Sequence, residues 1–121
     1  MEKSHKNLKV WQTAMELIKM VYTETAKLPR EERFGLAQQM RRAAVSIASN
    51  IAEGAARKGT KEAVQFFLIS RGPISELDTQ ICICEELHYF DQPIVSSLTS
   101  LLERADLLLS GLIRYRRGGK Q

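Results

Sequence analysis

No stretch of about 18 consecutive apolar residues occurs in this 121-residue sequence, so no membrane-spanning helix is expected. The first residues, MEKSHKNLKVWQ, are charged and lack the apolar core of a secretion signal, which points to the cytoplasm and away from a membrane partner. Cysteine is scarce. Cys82 and Cys84 stand two apart, which on a helix places them on different faces, so a bridge between them is not expected. Neither a CxxC redox pair nor a zinc pattern is present, and both thiols read as buried or half-buried small side chains.

Histidine is scarcer than an acid–base enzyme or a metal carrier needs. There are two, His5 near the N-terminus and His88 at an expected helix end, where its charge would suit the helix dipole. Glu85 and His88 make one Glu-x-x-His pair, but the second pair of a di-iron bundle is missing. EGAARKGTKE carries glycines and lysines near a helix start without the Walker pattern, and no nucleophile elbow occurs. The inventory therefore disfavours an enzyme and predicts no catalytic residue, cofactor or metal.

Alternation of strand type is also absent over any useful length. What remains is helical periodicity. The apolar fraction of 44% and charged fraction of 26% are those of a globular domain, and the length suits one domain over residues 1–117 with a disordered tail at 118–121. A first helix is expected from Asn7 to Lys27, with Leu8, Trp11, Ala14, Met15, Ile18, Val21 and Tyr22 as its apolar face. LPREERFG ends it at Pro29. A second runs from Leu36 to Ala55 on a stripe of Leu36, Met40, Ala43, Ile47 and Ile51, with Gly54 and Gly59 as breakers and Thr60 as the next N-cap.

The third is expected from Lys61 to His88 on Phe67, Ser70, Ile74, Leu77, Ile81 and Cys84, kinked at Gly72-Pro73 because proline lacks a donor and crowds the carbonyl of Ile69. The fourth runs from Pro93 to Arg114, capped by Asp91, on Ile94, Leu98, Leu101, Ala105, Leu108 and Leu112, widened by Leu102, Leu109 and Ile113. Four helices with short connections predict an all-α, up-down-up-down antiparallel four-helix bundle.

Charge is unevenly spread. Residues 1–73 hold 13 basic and 7 acidic side chains, residues 74–113 hold one basic and seven acidic, and RYRRGGKQ at the end adds four basic groups. Such opposition can steer self-association or present a basic surface to nucleic acid. Arg41, Arg42, Arg57, Lys58, Lys61, Arg71, Arg114, Arg116 and Arg117 form the candidate phosphate-neutralising set. No recognition-helix module and no exposed aromatic stacking set is visible, so any such binding is expected to ignore sequence.

The second helix has more small residues than a core face requires. Beyond its apolar stripe it has a polar side with Gln39, Arg42, Ser46, Ser49, Asn50, Glu53 and Arg57, and a third side with Arg41, Val45, Ala48 and Ala52. Small side chains permit close helix approach, so the excess is read as a second contact surface. Glu53 and Arg57, four apart, can pair within the helix.

GLAQQMRRAAVSIASNIAEGAARKGTKE, followed by FFLISRG, resembles the signature of the 23S ribosomal RNA intervening-sequence proteins and, more remotely, the accessory variability determinant of diversity-generating retroelements. The likeness spans nearly the whole chain. The family pattern, roughly Q-x-R-R-A-x-x-S-I-P-x-N-I-A-E-G, is matched at Gln39, Arg41, Arg42, Ala43, Ser46, Ile47, Asn50, Ile51, Ala52, Glu53 and Gly54. The chain departs from it at Ala48, where the family has proline, and at Pro73, where it has serine. The resemblance implies five-subunit rings of four-helix bundles around a channel, with no enzymatic role. It also supports a subunit interface built from Arg42, Val45, Ser46, Ala48, Ser49, Asn50, Ala52 and Glu53. The retroelement relative binds nucleic acid and a reverse transcriptase. Two functions are therefore carried forward: a self-associating protein binding RNA or DNA through a basic surface, or a scaffold docking a nucleic-acid enzyme without touching nucleic acid.

Overall fold

The computed structural model describes residues 4–118; the expected tail therefore lies almost wholly outside the described residues. Among these the regular elements are α1 (Lys9–Thr25), α2 (Leu36–Ala55), α3 (Thr60–Ile69), α4 (Arg71–Glu86) and α5 (Gln92–Arg116), with short 3-10 turns at Ser4–Asn7 and Arg30–Glu32. Only Ser70 separates α3 from α4, and the two form one bent helix. With α3 and α4 as one member, the helices pack as a four-helix bundle. α2 touches α1, α3 and α4, and α5 touches the same three.

The bend follows from Pro73, as expected, and the break in the helical ladder is at Ser70, three residues before the proline. Pro73 has no amide hydrogen to offer the carbonyl of Ile69, four residues earlier. The ladder loosens there: the Ser70 amide is shared between the carbonyls of Phe66 (3.3 Å) and Phe67 (3.1 Å), and the ladder resumes with Ile74 N–H donating to Ser70 O at 3.2 Å. Ser70 is fully buried, and its hydroxyl donates to the Ile47 carbonyl of α2 at 3.3 Å. The seam Phe67, Ser70, Ile74, Leu77, Ile81 and Cys84 is buried throughout, as its spacing predicts.

Helix ends have identifiable causes. Asp91 caps α5, its Oδ1 accepting from Ile94 N at 3.2 Å, with proline in the first turn. Thr60 is not the cap of α3; Gly59 holds that position without a side-chain bond, and Thr60 is the first helical residue. At the N-terminus of α2 the Glu32 carboxylate accepts from Leu36 N at 3.3 Å and from the Tyr89 hydroxyl at 3.0 Å. α4 ends at Glu86, and His88, the residue after its Leu87 cap, has a left-handed φ of 61°. Tyr89 N donates to Cys84 O at 2.8 Å and His88 N to Glu85 O at 3.1 Å, the paired bonds of a Schellman turn. The end position of His88 was expected, but its backbone turn is the structural feature there.

Gly54 overturns its sequence reading. It lies buried inside α2 rather than breaking it. A methyl group there would stand 2.5 Å from Phe67 Cε1 and 2.9 Å from the Ala63 carbonyl. Hydrogen in place of a side chain is what lets α2 and α3 cross this closely.

The core is contiguous, but only part of the expected stripe is buried in each of two helices. Val10, Ala14, Leu17 and Val21 form the buried face of α1, while the expected Leu8, Trp11, Met15 and Ile18 are only partly covered and Tyr22 is 43% exposed. In α5 the buried series is Val95, Leu98, Leu102, Ala105, Leu109 and Ile113, with Ile94, Leu101, Leu108 and Leu112 at its edge. Both helices carry two parallel apolar series offset by one residue. Periodicity alone cannot choose between them.

Candidate nucleic-acid interface

The basic residues divide into two groups. The first gathers where the start of α3 meets the end of α5. Lys61 and Arg117 border a cleft of about 380 Å³ with Thr60, Val64, Gln65 and Leu68. Arg71, Arg114 and Arg117 border a second, of about 450 Å³, with Ser110 and Ile113. Arg117 belongs to both, so the clefts adjoin. Neither is lined by a carboxylate. Arg71 is held in place by donating to Ser110 Oγ at 2.8 Å. Arg114 and Arg116 also occupy the last turn of α5, where cations offset the helix dipole. Four cations around two clefts that no carboxylate lines make an electrostatic environment suited to phosphate.

Arg57 is near the end of α2 but is already engaged. Its guanidinium pairs with Glu53 at 3.1 Å, in the expected i,i+4 arrangement, and lies 4.6 Å over the Phe66 ring. The pair is exposed and contributes about 0.3–0.5 kcal/mol. Lys58 is exposed in the connection before α3, and Arg116 is half-exposed; neither lines the clefts.

Arg41 and Arg42 form no part of this group. They lie about 20 Å back along α2 from its end at Ala55, at 1.5 Å per residue. Arg41 turns toward the end of α1: Nε donates to Thr25 Oγ1 at 2.9 Å, Nη2 donates to the Tyr22 carbonyl at 3.2 Å, and the guanidinium sits 4.6 Å over the Tyr22 ring. Its charge thereby satisfies carbonyl-end groups of α1. Arg33, Arg41 and Arg42 line a cleft of about 490 Å³ with Tyr22, Phe34, Gln38 and Val45. Arg30 and Arg33, absent from the sequence-derived set, join Arg41 around an adjoining cleft. The signal for them was RFG within LPREERFG: an aromatic residue beside arginine in an otherwise polar connection. Phe34, beside these arginines, is 81% exposed.

The third face of α2 is smaller than its sequence suggests. Ala48 is 5% exposed and belongs to the chain's own core, as do Ala43, Ala44 and Gly54; it cannot be offered to a neighbour. Much of the small-residue excess serves packing within the chain. Val45 and Ser49 are exposed, Ala52 and Ser46 half-buried, and Arg42 and Glu53 exposed. Asn50 does not reach across to another helix: its Nδ2 donates to Ser46 O at 2.9 Å and to Ser46 Oγ at 3.1 Å.

The thiols also differ from each other. Cys82 is exposed and Cys84 buried, its sulfur 3.7 Å from Met40 Sδ. Burial, with a smaller contribution from the Glu32 charge, pushes the Cys84 thiol up to about 11. Among the described residues no group of three or more His, Cys, Asp and Glu side chains stands close enough to hold a metal ion, and no helix is long and apolar enough to cross a membrane.

No curated protein matches the sequence. The model of the family described as 23S rRNA-intervening sequence protein matches residues 6–111, from the turn before α1 into the last turns of α5. With an all-helical bundle built on the Gln39–Gly54 motif and a match over most of its length, the chain belongs to the 23S rRNA-intervening sequence protein family.

Proposed function

We propose that this chain is a non-enzymatic, self-associating, cytoplasmic protein that binds RNA or DNA through its basic surface without reading base sequence. The observation that supports this reading is the pair of adjoining clefts lined by Lys61, Arg71, Arg114 and Arg117 with no carboxylate between them. The family name, with its reference to ribosomal RNA, is compatible with it. Self-association, as a five-subunit ring by family resemblance, is supported by the half-covered stripe Leu8, Trp11, Met15 and Ile18 along α1. A second copy laid there would complete its burial.

Binding to labelled single strands and duplexes at two salt concentrations tests the nucleic-acid reading. Affinity falls steeply with added salt, and Arg117→Gln lowers the slope of log affinity against log salt by about 1. Absence of binding at low salt would sink it. Light scattering on a sizing column tests self-association, and a monomer at working concentration overturns that part. The scaffold reading draws support from Leu107 and Tyr115, each about three-quarters exposed on α5. It takes precedence if the protein docks an enzyme of nucleic-acid metabolism while binding no strand itself.

A further inference from the structure

Phe34 is left outside the core, whereas Phe67 and Phe90 are buried in it. Burying a phenylalanine contributes about 1.5–3 kcal/mol relative to leaving it in water, and at 81% exposure this chain gains little of that. The ring stands in the connection just before α2, with the Arg33 guanidinium 5.6 Å from its centroid. Beside it Tyr22 is 43% exposed, and Arg41 covers that ring at 4.6 Å. Both aromatics line one cleft with Arg33, Arg41, Arg42 and Gln38.

The composition of that cleft selects among occupants. Three guanidinium groups and no carboxylate line it, so an anionic partner is favoured. Arg41 is tied to Thr25 and the Tyr22 carbonyl, which fixes it as part of the wall. Arg42 is exposed, and among the described residues no side-chain hydrogen bond or ion pair engages the guanidinium of Arg33 or of Arg42. Gln38 is exposed and offers both an amide donor and an acceptor, the kind of group that pairs with base edges. An accessible ring face between cations suits a base with its phosphate. In a duplex those base faces are stacked on one another; in an unpaired strand they are free to lie on Phe34.

We infer that the cleft between the end of α1 and the start of α2 is a stacking site for unpaired nucleotides, with Phe34 as its platform and Arg33 and Arg42 on the phosphates. This rests on the nucleic-acid reading above and adds a preference for single strands over duplex. It assigns the two basic ends different tasks: the α3–α5 clefts hold any phosphate backbone, and the Phe34 cleft discriminates.

The test is fluorescence anisotropy with a labelled uridine-only RNA strand and with an RNA duplex of equal length, using the full chain, Phe34→Ala, Phe34→Trp and Arg117→Gln. Phe34→Ala weakens binding of the strand at least about fivefold, the lower bound of one stacked base, and leaves the duplex unchanged. Phe34→Trp restores strand binding, and Arg117→Gln weakens both probes alike. Equal loss for strand and duplex in Phe34→Ala, or no loss in either, overturns the stacking site while leaving the nucleic-acid reading intact. Binding of neither probe by the unaltered chain overturns both. A change of oligomeric size in Phe34→Ala with unchanged strand affinity assigns the ring to contact with a second copy instead, and likewise overturns the proposal.

Discussion

At Gly54 a single hydrogen atom sets the distance between α2 and α3. The added methyl group of Gly54→Ala would fall well inside contact distance of Phe67 and of the Ala63 backbone. Phe67 is itself buried and cannot swing away cheaply. Alanine favours a helix over glycine by about 1 kcal/mol, but overpacking costs about 1–3 kcal/mol, and a backbone carbonyl as the neighbour puts the cost at the upper end. Gly54→Ala is therefore expected to lower unfolding stability by about 1–2 kcal/mol net, read as a reduced urea midpoint with unchanged slope. An unchanged or raised midpoint would contradict the close-crossing account. The sequence marks Gly54 only as a glycine near the end of an apolar pattern, and the usual meaning of that position is termination. Its actual role depends on Phe67 and Ala63, thirteen and nine residues further along the chain.

Among the elements, the bent helix α3–α4 carries the clearest division between what a local rule reaches and what it misses. The missing donor of Pro73 is local, and it predicts a bend. Where the bend settles depends on Ser70, whose buried hydroxyl bonds to α2. Gly72 plays no packing part: space beyond its Cα is open, and its backbone lies within α4. Gly72→Ala is thus expected to stabilise the protein by about 0.5–1 kcal/mol by restricting the unfolded chain, seen as a higher thermal midpoint. Destabilisation would mean that the bend draws on glycine's freedom. The opposite lesson comes from α1 and α5. Their periodicity established helices, but each has two offset apolar series, and only the neighbouring helices decide which is buried.

Over the whole molecule the charge asymmetry becomes spatial. Asp78, Glu103 and Asp106 line a cleft between α4 and α5 of about 440 Å³, and Arg71 borders both it and the basic cleft beside it. A strongly basic site thus adjoins an acidic one, an arrangement that orients an approaching polyanion. Stability at alkaline pH reports on the packed state in a different way. Burial raises the Cys84 thiol from 9.0 to about 11, and the hydrogen bond to the Glu32 carboxylate, followed by desolvation, raises the Tyr89 hydroxyl above 10.0. A raised pKa means the folded chain holds these protons longer than the unfolded chain. Their contribution is therefore complete below about pH 9. Cys84's share is lost between about pH 9 and pH 11, and Tyr89's as pH rises above about 10. Urea midpoints should be level from pH 7 to 8.5 and fall by pH 10.5, with a shallower fall in Cys84→Ala. A pH dependence identical in the variant would exclude the thiol as a cause.

The helical class, the α2 boundaries, the α3–α4 seam and the family motif were all legible in the sequence, because each depends on spacing within one segment. Spacing sets which residues share a helix face whatever the rest of the chain does. The grouping of cations was not legible. Nine basic residues read as one surface; the fold separates Arg41 and Arg42 from Lys61, Arg71, Arg114 and Arg117, and brings in Arg33 and an exposed phenylalanine that no periodic pattern marks. Nor could spacing tell that Ala48 faces inward or that Arg41 holds the end of α1. Those outcomes depend on which helix lies opposite, and contacts between residues far apart in the chain exist only after the bundle has closed.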